Sequence, residues 1–240
     1  MIILIFPLIL SKSKFLLFYV IFSCLFPLLK HFGIEGASIE IKKRGLYPKG
    51  GGHISIQIPY VRELESISLT DEGKVKKIRG VAYSCNVNPT LAARMIDSIR
   101  GVFNDYIPDV WMHCDHYKKE KGGFSKGYGV SIIAETTTEC LISTDQIYNI
   151  RDVSDPEKLG EIAAMSLLDE IYYSGVVDIR IAPTVLLLMG LSSAENTSEI
   201  KLPSKKLGLI YIENVINSDF MVRTMRSLNQ FFGIKFKISE

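Results

Sequence analysis

The chain has 240 residues, with 28 Lys+Arg against 26 Asp+Glu, a formal net charge of +2 and 47% hydrophobic residues. That apolar content with 22% charged residues excludes a disordered chain, and the length allows one or two domains with a real core. The small net charge excludes a strongly polybasic protein. The four cysteines (Cys24, Cys85, Cys114, Cys140) form no C-x-x-C pair, which argues against a zinc ribbon or a disulfide scaffold and for a reducing compartment.

Residues 1–29 are mostly apolar, in two runs split by Ser11-Lys12-Ser13-Lys14. The second run, Phe15 to Leu29, falls short of a hydrocarbon core roughly 30 Å thick, and joining the runs sets lysines in mid-membrane. No basic residue precedes the first run and no small-x-small cleavage site follows the second, as a signal peptide requires. The expectation is a buried helix, or a stretch outside the folded protein, with no membrane role.

Pro27 to Gly33 reads as the end of an amphipathic helix with a glycine cap. Residues 37–43 and His53 to Ile58 alternate apolar and polar, so the Gly-rich segment between them links two strands. Lys74 to Tyr83 is a basic, strand-compatible stretch. Asn88-Pro89-Thr90 offers a helix start, with Leu91, Met95, Ile96, Ile99 and Phe103 at helical spacing. A short strand, Asp109 to His113, precedes a polar loop from His116 to Gly127. Val130 to Glu135 and Cys140 to Ser143 predict a hairpin. Pro156 opens a helix to about Tyr173, with Leu159, Ile162, Met165 and Leu168 on its apolar side. A buried helix follows over Thr184 to Leu191, then strands at Glu199 to Leu202 and Leu209 to Ile212. Phe220 to Phe232 reads as an amphipathic helix and Ile234 to Ile238 as a last strand. Short strands interleaved with helices, several in hairpins, predict an α+β fold.

Three segments suggest chemistry. In Arg44-Gly45-Leu46-Tyr47-Pro48-Lys49-Gly50-Gly51-Gly52, the glycines permit close backbone approach, and their N–H groups could meet an anion beside Lys42, Lys43, Arg44 and Lys49. The alternative is a tight strand connector with solvated lysines. The loop Lys118-Lys119-Glu120-Lys121-Gly122-Gly123-Phe124-Ser125-Lys126-Gly127-Tyr128 suits a nucleic-acid backbone, with bases stacked on Phe124 or Tyr128, unless it too is only solvated. Lys74, Lys76, Lys77 and Arg79 add charge along a strand. His113-Cys114-Asp115-His116 does not read as a metal site, because strand alternation separates its side chains.

At Arg44-Gly45-x-x-Pro48-x-Gly50-Gly51-Gly52 the chain resembles the RNA 3′-terminal phosphate cyclase family, and within it the eukaryotic cyclase-like branch. Collinear matches follow at Lys76 to Ser84, Ile107-Pro108-Asp109, Asp115-His116, Gly129-Val130-Ser131, Ala134 to Thr137, Leu186 to Met189 and Phe231 to Ile238. The resemblance covers about residues 26–240. It implies repeated βαβαββ units with an inserted small α/β domain. On that template residues 26–83 end the second repeat and start the third, 84–175 are the insert, and 176–240 resume the third repeat. The earlier repeats are expected to be missing from this sequence. Residues 1–25 match nothing in the family, as an incomplete gene model would leave them.

True cyclases of the family use a histidine that ATP adenylylates, then pass AMP to an RNA 3′-phosphate so that the 2′-OH closes a cyclic phosphate. Carried onto this sequence, the histidine position falls at Phe220 within Ser218-Asp219-Phe220-Met221, and a phenyl ring cannot attack phosphorus. The histidines are His31, His53, His113 and His116, and near Asp178 the family's polar pair is replaced by Ile181-Ala182. The resemblance therefore implies a non-catalytic factor in ribosome biogenesis, acting in small-subunit pre-rRNA processing. It would be nucleolar, part of the small-subunit processome beside a large GTPase and pre-rRNA ribonucleoprotein, and need no cofactor or metal. Any endonuclease role finds no acidic or metal cluster here to carry it. Expected contacts to RNA or partner are Arg44, Lys49, Lys76, Lys77, Arg79, Lys126, Arg223 and Arg226. The helix arginines read equally as a solvated polar face. The alternative is an ATP-dependent RNA 3′-terminal phosphate cyclase.

Overall fold

A computed structural model describes residues 2–8, 21–46, 48–118, 121–148, 155–192, 197–203 and 219–237. The expected strand at Leu209 to Ile212 lies outside them. The elements are β1 (Ile2–Leu8), a π-helical turn (Ile21–Leu25), α1 (Phe26–His31), β2 (Ser38–Lys43), β3 (Gly52–Ile58), β4 (Ser68–Leu69), β5 (Val75–Cys85), α2 (Thr90–Phe103), β6 (Val110–Tyr117), β7 (Gly127–Thr136), β8 (Leu141–Ile147), α3 (Pro156–Tyr172), α4 (Ala182–Leu191), β9 (Glu199–Ile200) and α5 (Asp219–Phe232). The mixture of helices and sheets is α+β, as the pattern of elements predicts.

Three sheets form among these residues. The central one runs β6-β5-β7-β8, with β5 parallel to β6 and antiparallel to β7. Parallel neighbours need a crossover, and α2 supplies it between β5 and β6. One face of this sheet packs on α2 and α3 through Ile78, Ala82, Met95, Ile99, Phe103, Val130, Ile132, Leu159 and Leu167, all buried. A second core, including Cys24, Phe32, Ile67, Ile133, Val185, Met221 and Leu228, joins the other face of β7 to α4, α5 and the N-terminal turn. A small third cluster, Leu46, Tyr83 and Cys85, lies at the C-terminal end of β5 beneath the β2–β3 connection.

Several expectations require correction. The N-terminal residues Ile2–Leu8 are a strand, paired antiparallel with β3 in the sheet β1-β3-β2, and not a helix. Seven continuously apolar residues have no alternation to announce a strand, yet suit one better than a helix of such length. Among the described residues, no helix is long and apolar enough to cross a membrane.

The buried side of α3 is Leu159, Gly160, Ala163, Ala164 and Leu167, whereas Ile162 and Met165 are exposed. The small residues win because α2 comes so close. A Cβ on Gly160 would lie 2.6 Å from the Met95 carbonyl oxygen. Strand β6 continues to Tyr117, so His116 belongs to the sheet and not to the following loop. The strand at residue 199 is only Glu199–Ile200, paired in parallel with β4. Residues 234–237 join no ladder, so the last strand is not formed there, and Ile238 lies outside the described residues.

Candidate functional site

The two Gly- and Lys-rich loops meet as one structure. The β2–β3 connection folds back on itself, Leu46 bridging Gly50, with the Gly50 amide donating to the Leu46 carbonyl at 2.8 Å. The β6–β7 loop lies along it, joined by four bonds. The Arg44 amide donates to Lys121 O (3.0 Å), the Gly123 amide to Arg44 O (2.5 Å), the Phe124 amide to Gly50 O (3.1 Å), and the Lys49 amide to Ser125 Oγ (2.9 Å). Asn86, just past β5, donates from Nδ2 to Gly123 O at 2.8 Å. Glycine is required where these backbones touch. A Cβ on Gly123 would sit 2.3 Å from Gly50 O and 2.5 Å from Gly45 Cα.

This arrangement revises the anion reading of the glycine string. The Lys49 and Gly50 amides are already bonded within the loop pair and are not offered to an anion, whereas the lysine side chains beside them are. Lys42, Lys49, Lys121 and Lys126 are exposed. Lys43 Nζ lies 5.0 Å from the centroid of the Phe124 ring, a cation–π contact, and that ring is 69% exposed. The ring rests against Gly51, where φ is +78° and a Cβ would stand 2.5 Å from Phe124 Cδ2. Among the described residues, none of these five lysines makes an ion pair; the one acidic residue in the sequence of the two loops, Glu120, lies outside the described residues.

Arg44 is beneath this surface and not on it. It is 5% exposed, with its guanidinium carbon 4.2 Å from the centroid of Tyr83 and 5.0 Å from that of Tyr117. Among the described residues, its charge is met by two ring faces and no carboxylate, and its Nε has no hydrogen-bond partner. Burial pushes the Tyr83 phenol well up, against the pull of Arg44, and the Cys85 thiol up to about 11 for the same reason. Arg44 is thus a bolt between the loop pair and the sheet, buried beneath the surface on which its expected contact with RNA or a partner would be made.

The other expected residues divide. Lys49 and Lys126 stand exposed on the loop pair. Lys76 is exposed on β5, but Lys77 pairs with Glu135 (2.8 Å) and Arg79 holds Asp109 through two bonds of 2.8 Å. Arg223 and Arg226 are exposed on α5, whose buried side is Met221 and Leu228. Phe220 falls in the first turn of that helix. Tyr128 is only 6% exposed and stacks on Tyr148 at 4.7 Å, so it offers no platform for a base. His113 Nε2 lies 3.0 Å from Asp115 Oδ1, while His116 Nδ1 shares a 2.7 Å hydrogen bond with Ser84 Oγ. No group of three or more His, Cys, Asp or Glu could hold a metal among the described residues.

A buried polar joint, where the segment after α3 meets β8, has no signature in the sequence pattern. Asp178 is 1% exposed and accepts from Ser143 Oγ (2.6 Å) and from the Arg180 and Ile181 amides (3.0 Å each). Arg180 pairs with Asp145 and donates to Ser143 O at 2.8 Å. Burial, and then the neighbouring Asp178 charge, push the Glu170 carboxyl up to about 7. Only the isolated Asp178 in the sequence could have signalled this, and nothing in its neighbours did.

Residues 70–172, from just before β5 to the end of α3, match the RNA 3′-terminal phosphate cyclase (RTC) insert domain. The chain is 40% identical over 217 residues to the RNA 3′-terminal phosphate cyclase-like protein of Homo sapiens, covering 88% of this chain and 55% of that one. It is 37% identical over 226 residues to the probable cyclase-like protein of Dictyostelium discoideum, covering 88% and 57%. The rRNA processing protein rcl1 of Schizosaccharomyces pombe is 37% identical over 158 residues, 65% of this chain and 43% of that one. The chain spans about half the length of the curated relatives it matches.

Proposed function

Because the chain belongs to the RNA 3′-terminal phosphate cyclase family, and within it resembles the cyclase-like proteins, we propose that it is a non-catalytic factor in ribosome biogenesis. It acts in small-subunit pre-rRNA processing, in the nucleolus, within the small-subunit processome and beside a large GTPase. Support for the pathway comes from the relative named as an rRNA processing protein. The processome, the GTPase and the nucleolus rest on the family resemblance alone. Residues 26–83, 84–175 and 176–240 are proposed as the end of one repeat with the start of the next, the insert, and the remainder of that repeat.

The observation that carries the non-catalytic reading is Phe220 at the head of α5, where the family resemblance puts the adenylylated histidine. Nucleotidyl transfer through an enzyme intermediate needs a lone pair to attack the α-phosphorus, and a phenyl ring has none. The four histidines sit on α1, β3 and β6 instead. Incubation with labelled ATP tests the reading. No adduct, together with co-purification of a GTPase, is the expected result. An acid-labile, hydroxylamine-resistant AMP adduct would establish the alternative, an ATP-dependent cyclase with a displaced nucleophile.

A further inference from the structure

We propose that the joined β2–β3 and β6–β7 loops form a binding surface for single-stranded RNA, with a base stacked on Phe124 and the backbone neutralised by Lys43, Lys49 and Lys126. The assignment deepens the ribosome-biogenesis reading and rests on it for the choice of RNA. Its own warrant is local. A phenyl ring left 69% exposed in water, with a lysine ammonium 5.0 Å from its centroid, combines a π-face with a cation in reach of one nucleotide.

The surroundings favour a polyanion with flat groups over an acidic protein segment. Lys42 and Lys43 end β2, and Lys49, Lys121 and Lys126 lie on the two loops, against a single acidic residue, Glu120, in the sequence of those loops. An acidic peptide would use the lysines but has no general need of the ring. A single-stranded nucleic acid uses both, because each unpaired base can stack and each phosphate carries charge. A duplex cannot, since its bases are already stacked on one another.

The platform is also held in place before any ligand arrives. Phe124 is pinned through its amide to Gly50 O and through its ring against Gly51, and Arg44 ties the loop pair to Tyr83 and Tyr117 below. Preorganisation of this kind lowers the ordering cost of binding.

The experiment is fluorescence anisotropy of the full chain with labelled single-stranded oligonucleotides, a matched RNA duplex, inorganic polyphosphate and poly-glutamate. Phe124→Ala is expected to weaken single-stranded RNA between about five- and a hundredfold, with less than about a twofold change for polyphosphate or duplex. Phe124→Trp, which keeps a larger π-face, is expected to restore binding. The substituted ring is solvent-facing, so thermal melting should stay close to that of the parent chain. The proposal is overturned if Phe124→Ala leaves single-stranded binding unchanged, or weakens polyphosphate equally. It is overturned also if poly-glutamate binds as tightly with the same dependence on Phe124, which would make this a protein-docking surface. Its failure leaves the non-catalytic reading intact, because that reading turns on the AMP adduct.

Discussion

Two basic regions look alike as strings of letters, yet differ in what their charges face. Along β5, Lys77 stands directly across from Glu135 of β7, and Arg79 grips Asp109 at the mouth of β6. Sheet register brings those partners into place, so the strand carries little free charge apart from Lys76. The loop pair and the adjoining end of β2 carry five lysines without an ion pair among the described residues, one acidic residue by sequence (Glu120), and an exposed ring in their midst. A basic residue counts towards nucleic-acid binding only when no internal carboxylate already holds it.

The contrast can be broken most severely at the seam. Gly123→Val forces a side chain into the Gly50 and Gly45 backbones and should part the loops. Single-stranded RNA affinity is expected to fall by more than about tenfold, with new protease cleavage in the loops, at a stability cost of about 2–4 kcal/mol in urea unfolding. Retained affinity with an intact seam would show that these glycines are not where the loops are held.

Arg44 sharpens the contrast next. Arg44→Ala removes a side chain packed between two rings and should cost about 2–4 kcal/mol. Arg44→Met keeps most of the volume and removes a buried Nε that has no partner among the described residues, so its cost should stay below about 1 kcal/mol. Equal losses in the two variants would mean that the charge itself, and not the packing, holds the loops.

The lysines give a smaller and more selective signal. Lys49→Ala and Lys126→Ala should each lower the slope of log affinity against log salt by about 0.7 for a single strand. Lys77→Ala and Arg79→Ala should leave it nearly unchanged, because those groups are paired within the protein. A reversed pattern would move the binding surface to β5.

The last effect expected is a pH dependence that involves neither region. Burial raises the Glu170 carboxyl to about 7, so the folded chain holds a proton that the unfolded chain has released. Stability should therefore decline as pH rises from the ordinary carboxyl range through 7, by up to about 3 kcal/mol. Glu170→Gln should flatten that decline, and an unchanged profile in urea unfolding would remove Glu170 as its source.

Local patterns made much of this fold legible. Leu91, Met95, Ile96, Ile99 and Phe103 announce α2 because helical spacing and burial coincide. The alternation in residues 37–43 and 53–58 announces β2 and β3 for the same kind of reason. What escaped were features set by distant neighbours. Gly160, Ala163 and Ala164 face α2 because small residues admit close packing, while the larger Ile162 and Met165 suggested a different side of α3. Of the candidate site, both loops and Phe124 were readable as composition. Their union was not, since hydrogen bonds such as that of Lys49 to Ser125, 76 positions apart, leave no periodic trace. The burial of Arg44 was likewise not legible, because the two aromatic rings that enclose it come from β5 and β6, far along the chain.

The most direct measurement is ultraviolet cross-linking of a single-stranded RNA to the full chain, with the adducts mapped by mass spectrometry. The account predicts adducts on Phe124 and on the loop segments that carry Lys43, Lys49 and Lys126. Adducts confined to the Lys76–Arg79 stretch of β5, with the two loops unlabelled, would contradict it.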